Sequence, residues 1–245
     1  MEFLKIHQIH YKPNQQLHDQ FIPYDNTNKC TVYFENTVIK ELVEKGEHRA
    51  CEYFGVVSAR FEEKVHNFNY DEFCNILKEK KSDIMAFVRM KPPTDKSFLE
   101  FTSRFHPYFK VYFERVFERA GFHVLEYIHD PVYFNYFVAK SEIYEQYVKE
   151  MLIPCMKVMD EMPELFMNSN YKKGLPFTEE TKKSTGIDYY PYHPFICERF
   201  FSYYIQLKGL KVDYPYPEVG NRLQPLGHIP QKNHLPPISQ PPSLG

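Results

Sequence analysis

Through the first 220 positions, short apolar runs alternate with longer stretches in which apolar residues recur every three or four places. Leu4, Ile6 and Ile9 lie in a first strand, and Val38, Ile39, Leu42 and Val43 form a helical stripe ending near Gly46. EYFGVVS at 52–58 reads as a second strand. A helix is predicted from Tyr70 to Lys81, with Phe73, Ile76 and Leu77 on one face and Asn69 as its cap. DIMAFVR at 83–89 reads as a third strand.

Pro92 and Pro93 then break the chain. A helix follows from Ser97 to Ala120, its stripe running from Phe101 to Phe117 and Gly121 supplying the stop. FHVLEYI at 122–128 and VYFNYFVAK at 132–140 are strand-like, and the long helical pattern from Ser141 to Met162 contains Pro154, which should kink it. Asn168 to Thr185 reads as a polar loop, HPFICERFFSYYIQLKGL as a helix with Pro194 near its first turn, and LKVDY as the closing strand. Strands and helices taking turns predict one α/β domain over residues 1–220, a mostly parallel sheet flanked by helices. Residues 221–245 hold six prolines and no period, a proline-rich tail expected to be disordered or to lie along the surface.

Composition narrows the classes. With 30 basic and 32 acidic residues the chain lacks the basic excess of a nucleic-acid binder. No stretch approaches the roughly 20 apolar residues of a membrane span, and the N-terminus lacks a signal-peptide pattern, so a cytoplasmic location, at most peripheral to a membrane, is expected. The five cysteines show neither zinc nor disulfide spacing and are expected to be free thiols. Phe and Tyr make up 17% of the chain, which a packed aromatic core largely explains.

In parallel sheets ligands sit beyond the carboxyl ends of strands, so the loops after Ile9, Val57 and Val88 are where chemistry is sought. No glycine-rich phosphate loop, HExxH or GxSxG is present. FIPYDN places Asp25 and Asn26 in a loop after the first strand, and GVVSARFEEK puts Ser58, Arg60 and Lys64 just after the second, where cations can hold a diphosphate. Against this stands an exposed helix start with Glu62 and Glu63 beside them. In HPFICERFFSYY, Glu198 and Arg199 interrupt an apolar helix, as an ordinary ion pair or as a base facing a polar cleft.

Taken in order, FIPYDN, EYFGVVSARFEEK, FNYFVAKSEIYEQYVKEML and HPFICERFFSYYI resemble small glycosyltransferase-like proteins of bacterial capsule, exopolysaccharide and O-antigen gene clusters. The resemblance covers most of residues 5–212 and rests on short motifs: Gly55, Ser58, Arg60 and Lys64; Asn135, Tyr136 and Phe137; Glu198 and Arg199. It implies a GT-A-like, Rossmann-like domain that moves a sugar from a nucleotide diphosphate sugar to a saccharide acceptor. Asp25, Asn26, Ser58, Arg60, Lys64 and Asp83 would then bind the donor, and Tyr133, Asn135 and Tyr136 the acceptor, with rings stacking on pyranose faces. Glu198 would be the base, steadied by Arg199. Such enzymes commonly hold Mn²⁺ or Mg²⁺ through DxD, which this chain lacks. Dispersed ligands would hold the ion, or Arg60, Lys64 and Arg199 would replace it; otherwise the chain is a non-catalytic carbohydrate-binding or protein-interaction module, the latter engaging a partner through its tail.

Overall fold

A computed structural model describes residues 1–88, 97–129, 131–132, 135–169 and 179–215. The tail from 221 onward, and Tyr133, lie outside the described residues. β1 (Glu2–His10) and β2 (Ile22–Asp25) precede α1 (Glu35–Glu44), which leads through a 3-10 turn into β3 (Cys51–Ser58). α2 (Phe61–Lys64), α3 (Tyr70–Lys80) and β4 (Ile84–Ala86) follow, then α4 (Phe98–Ser103), α5 (Phe109–Arg119) and β5 (Phe137–Lys140). The chain continues through α6 (Ser141–Tyr147), α7 (Ile153–Asp160), α8 (Glu179–Thr185), α9 (His193–Lys208) and β6 (Val212–Asp213).

The strands form one sheet in the order β2-β1-β3-β5-β4-β6. β1 pairs in parallel with both β2 and β3, β4 with β6, and β5 alone runs antiparallel to its neighbours β3 and β4. The fold is therefore α/β with a mostly parallel, mixed sheet. At the β3–β5 seam Gly55 stands opposite Val138, and a Cβ on Gly55 would lie 2.7 Å from Val138 Cγ1 and 3.0 Å from the Phe137 carbonyl. Only glycine allows so close an approach without displacing β5.

The two sheet faces are covered unequally. One packs against α1, α5, α6, α7 and α9, and its core joins Phe54, Phe137, Tyr144 and Phe201. Phe137 and Phe201 stack at 3.8 Å with planes 5° apart. α9 is buried nearly all round, from His193 to Ile205 with Glu198 the exception, as a helix inside the protein should be. The other face carries a smaller core of Phe21, Phe61, Phe73, Leu77 and Phe87 under α2 and α3. Many of the rings are thus core material, each contributing roughly 1.5–3 kcal/mol by burial. Among the described residues no helix is long and apolar enough to cross a membrane.

Several expectations change in the structure. FIPYDN is not wholly a loop: Ile22–Asp25 form an edge strand on β1, where Pro23 is tolerated at the sheet margin. Residues 122–128 form no strand; their apolar side chains Phe122, Val124 and Leu125 pack on the large core from irregular backbone. The helix expected over 97–120 divides into α4 and α5, because Pro107 and a left-handed Tyr108 (φ 63°) separate them. Ser97 and Glu100 complete a capping box at the start of α4. Ahead of Pro154 the long helix widens into a π turn at Val148–Leu152, which accommodates a residue that cannot donate to the regular ladder. Asn69 caps α3 as expected, accepting from Glu72 N at 2.9 Å. Part of the polar stretch expected as a loop is α8, and 170–178 lie outside the described residues. The five cysteines are free, Cys74 partly exposed and the others buried.

Candidate functional site

Strand order dictates where chemistry collects. The chain leaves β1 to form β2 on one side, then returns through α1 to form β3 on the other, so the carboxyl ends of β1 and β3 adjoin at a topological switch point. β5 runs the other way, so its start lies at the same edge, and α9 must begin there because it descends to β6. Five segments therefore place side chains near this edge. They bring together Tyr11 after β1, Glu35 at the start of α1, Ser58 at the end of β3, Lys64 on α2, Tyr136 before β5 and Glu198 on α9.

Gln8, fully buried in β1, ties this edge: its Nε2 donates to the Ser58 carbonyl at 3.4 Å, and its Oε1 accepts from His18 N at 2.7 Å. The connection so anchored and Glu62 enclose a surface cavity of about 380 Å³, lined by Gln16, Leu17, His18, Asp19 and Gln20. Ser58 Oγ and the Tyr136 hydroxyl are 2.5 Å apart, and Ser58 Oγ also accepts from Arg60 N at 3.4 Å. Asn135, with φ 57°, turns the chain sharply just before Tyr136.

The electrostatics centre on three charges. The Glu35 carboxyl is enclosed by protein and lies near Glu198, Lys64 and the Tyr11 hydroxyl, which faces it without aligning a hydrogen bond. Burial raises its pKa first; its own backbone N–H opposes this, the Glu198 charge adds to the rise and Lys64 opposes it. Lys64 is also largely enclosed, and burial lowers its pKa against the pull of Glu198 and Glu35. Its Nζ sits 4.8 Å from the centre of the Tyr136 ring. The Tyr136 phenol is raised by burial, with the Ser58 hydrogen bond opposing and the Glu35 and Glu198 charges adding.

Glu198 keeps 17% of its side chain exposed and makes a close ion pair with Arg199. Arg199 itself turns into the core: its Nη1 donates to the Phe195 carbonyl at 3.1 Å and its guanidinium lies 5.5 Å from the Phe109 ring. His106, stacked on Phe195 at 4.1 Å, is pushed down to about 3 by burial and then by Arg199. Arg199 thus steadies Glu198 from within.

The residues expected at the site fall into three groups. Ser58, Lys64, Tyr136 and Glu198 converge, and Arg60 adjoins them, its guanidinium 48% exposed and bonded to Glu63 at 2.6 Å. Asp25 and Asn26 lie at the same sheet edge, beside the end of β1. Asp25 is exposed and accepts from Thr27 N at 2.9 Å. Asn26 is buried, its backbone N–H donates to the His10 carbonyl at 2.9 Å, and its Nδ2 has no hydrogen-bond partner among the described residues.

Asp83 is the correction. It precedes β4 and therefore lies at the opposite, amino edge, where it pairs with Lys140 at 2.9 Å and accepts from Lys211 N at 3.1 Å. Tyr136 needs a second correction, since its ring is 1% exposed, with Phe61 stacked at 5.9 Å and Lys64 also against it; no face is left for a pyranose. Asn135 is buried as well.

Glu35 and Tyr11 were missed. An acid in the first turn of a helix ordinarily reads as an exposed residue favoured by the helix dipole, and no spacing along the chain announces its enclosure. Among the described residues no group of three or more His, Cys, Asp or Glu side chains could hold a metal ion. Compared with known proteins, the chain matches no family model, no curated protein and no solved structure.

Proposed function

We propose that this chain transfers a sugar from a nucleotide diphosphate sugar to a saccharide hydroxyl, with Glu198 as the base. The observation that carries the reading is the convergence, at the switch point between β1 and β3, of a partly exposed carboxylate with an enclosed carboxyl and an enclosed ammonium. Perturbed ionisable groups gathered where open α/β sheets bind ligands are what acid–base chemistry requires.

In this reading Arg60 meets the diphosphate, and Ser58, Asp25 and Asn26 line the donor. Glu198 takes the proton of the acceptor hydroxyl while the hydroxyl oxygen bonds to the anomeric carbon. The bond from that carbon to the diphosphate oxygen breaks, and its electron pair leaves with the nucleoside diphosphate. In this reading Arg60 carries the countercharge of the diphosphate.

A thermal-shift screen against a panel of nucleotide sugars tests this directly, since a ligand bound only to the native state raises the melting temperature. One donor should raise it and be hydrolysed or transferred by the wild type. A donor that binds without either reaction would instead mark a non-catalytic binding module, and a panel with no binder would defeat the reading.

A further inference from the structure

Tyr136 stands at the switch point with no face open to a sugar, and the transfer step above gives it nothing to do. We propose that Tyr136 is a positioning residue that holds Ser58 and Lys64 as one phosphate-binding pair, Ser58 through the phenol oxygen and Lys64 through the face of the ring. That the phosphate belongs to a sugar donor rests on the proposed transfer reaction; the pair itself rests on contacts among three segments of the chain.

Tyr136 is fixed before anything binds. Its carbonyl accepts from Phe87 N at 3.0 Å, just beyond β4. Phe61 stacks on its ring at 5.9 Å, and Phe61 in turn meets the Phe87 ring edge-on at 5.0 Å. The left-handed backbone of Asn135 (φ 57°) turns the chain into it, and the tight seam at Gly55 sets where β5 begins. A ring packed on this scale has no room to swing aside. It offers its neighbours two fixed parts, an oxygen and a π face.

The oxygen meets Ser58. The two hydroxyls lie 2.5 Å apart, and Ser58 Oγ also accepts the Arg60 N–H at 3.4 Å. Each hydroxyl carries one proton and two lone pairs. A buried phenol proton must be met inside the protein, whereas Ser58 is only half-buried at the end of β3 and can leave its own proton to solvent. Tyr136 therefore donates, Ser58 accepts twice, and the serine O–H is turned outward as a donor. The backbone beneath it is pinned as well, because Gln8 Nε2 donates to the Ser58 carbonyl at 3.4 Å.

The ring face meets Lys64, whose Nζ stands 4.8 Å from its centre. Lys64 ends the single-turn helix α2 on a flexible stem, and the contact removes in advance some of the freedom an ammonium gives up on binding. An outward O–H and a placed point charge, both anchored on one phenol, suit a group with several anionic oxygens set in a tetrahedron. Arg60, exposed on the same turn, supplies a second cation for a diphosphate.

The test is calorimetric titration of inorganic pyrophosphate into the full chain, with the melting temperature of each variant measured alongside. The wild type should bind it, and Ser58→Ala and Lys64→Gln should each weaken binding about tenfold, the scale of a lost charge-assisted hydrogen bond. Tyr136→Phe keeps the ring and removes only the hydroxyl, so it should weaken binding severalfold, and adding it to Ser58→Ala should cost nothing further. Tyr136→Leu, which removes the ring face too, should bind more weakly than Tyr136→Phe; equal affinity would overturn the hold on Lys64. Wild-type affinity in Tyr136→Phe, or losses that multiply in the double variant, would overturn the hold on Ser58, whatever happens to melting. If Tyr136→Phe does not fold, Ser58→Ala carries the test, and unweakened binding overturns the pair. Coupled pyrophosphate binding with no turnover of any nucleotide sugar would keep the pair and refute the transfer reading. Turnover with no pyrophosphate binding would do the reverse.

Discussion

The two edges of the sheet both carry clustered charges, and they use them in opposite ways. At the amino edge Lys140 reaches Asp83 at 2.9 Å, Lys211 Nζ reaches Asp213 at 2.9 Å, and Ser82 donates to Asp213. Ser82 is buried but the charged side chains reach solvent, each acid has a cation of its own, and the hydrogen bond from Lys140 holds the Asp83 carboxyl below its usual value. At the carboxyl edge burial pushes the Glu35 carboxyl up and the Lys64 ammonium down. A satisfied acid becomes easier to ionise on folding, and an enclosed one harder. The sign of the shift therefore separates an edge whose acids are paired from an edge where burial opposes charge.

Substitutions at the two edges can break this contrast. The largest expected effect is on turnover: Glu198→Gln should reduce sugar transfer by about a hundredfold or more with little change in melting temperature or donor affinity. Stability loss with normal transfer would assign Glu198 to structure. Next, Arg60→Ala should weaken nucleotide-sugar binding about tenfold in a titration, the scale of losing a charge-assisted hydrogen bond. Unchanged binding would put the diphosphate elsewhere.

A smaller effect separates the edges by pH. Glu35 binds its proton more tightly folded than unfolded, so its contribution is complete below its ordinary value of 4.5 and falls as pH rises toward the raised folded value. Glu35→Gln should therefore match the wild type in melting temperature near pH 4 and exceed it at pH 8, by roughly 2–4 °C for each kcal/mol of burial cost relieved. A pH-independent difference would show that Glu35 is not held against its charge. The smallest effect is at the other edge. Asp83 binds its proton less tightly folded, so its contribution is present above 3.8 and lost as pH falls through the lowered value. Asp83→Asn should cost at most about 1 kcal/mol at pH 7, a deficit that closes in acid, and leave transfer intact. Impaired transfer in Asp83→Asn would make the contrast between the edges false.

How much of this is legible in the chain follows from what each signal measures. β1, β3, α1, α3 and α9 announce themselves because apolar spacing records which face is buried, and burial is what fixed them. β2 does not, since an edge strand of four residues, half solvated and containing Pro23, has no buried face to record. Phe122, Val124 and Leu125 mislead for the converse reason: apolar residues in an irregular segment are also drawn to the core. Ser58 and Lys64 could be placed because they follow a strong strand directly, whereas Asp83 opens its strand and was assigned to the donor only by the resemblance. Glu35 stayed hidden because its setting is made by α2 and α9, elements distant in the chain, and by the turn at Phe34.

The bare Cα of Gly55 has an evolutionary corollary. Because a methyl group there would run into Val138 Cγ1 and the Phe137 carbonyl, position 55 cannot gain a side chain while Val138 keeps its own, although position 138 can shorten alone. Any lineage that lengthens residue 55 must also move the Phe137 carbonyl, since a shorter residue at 138 relieves only the Cγ1 contact. What moves when this seam gives way is the start of β5, and with it Tyr136, which touches Ser58 and Lys64. A hydrogen atom in the middle of the sheet thus works as a gauge block for the distance between one strand and the next, and among relatives of this chain a side chain at 55 should appear only where residue 138 is smaller and β5 has shifted.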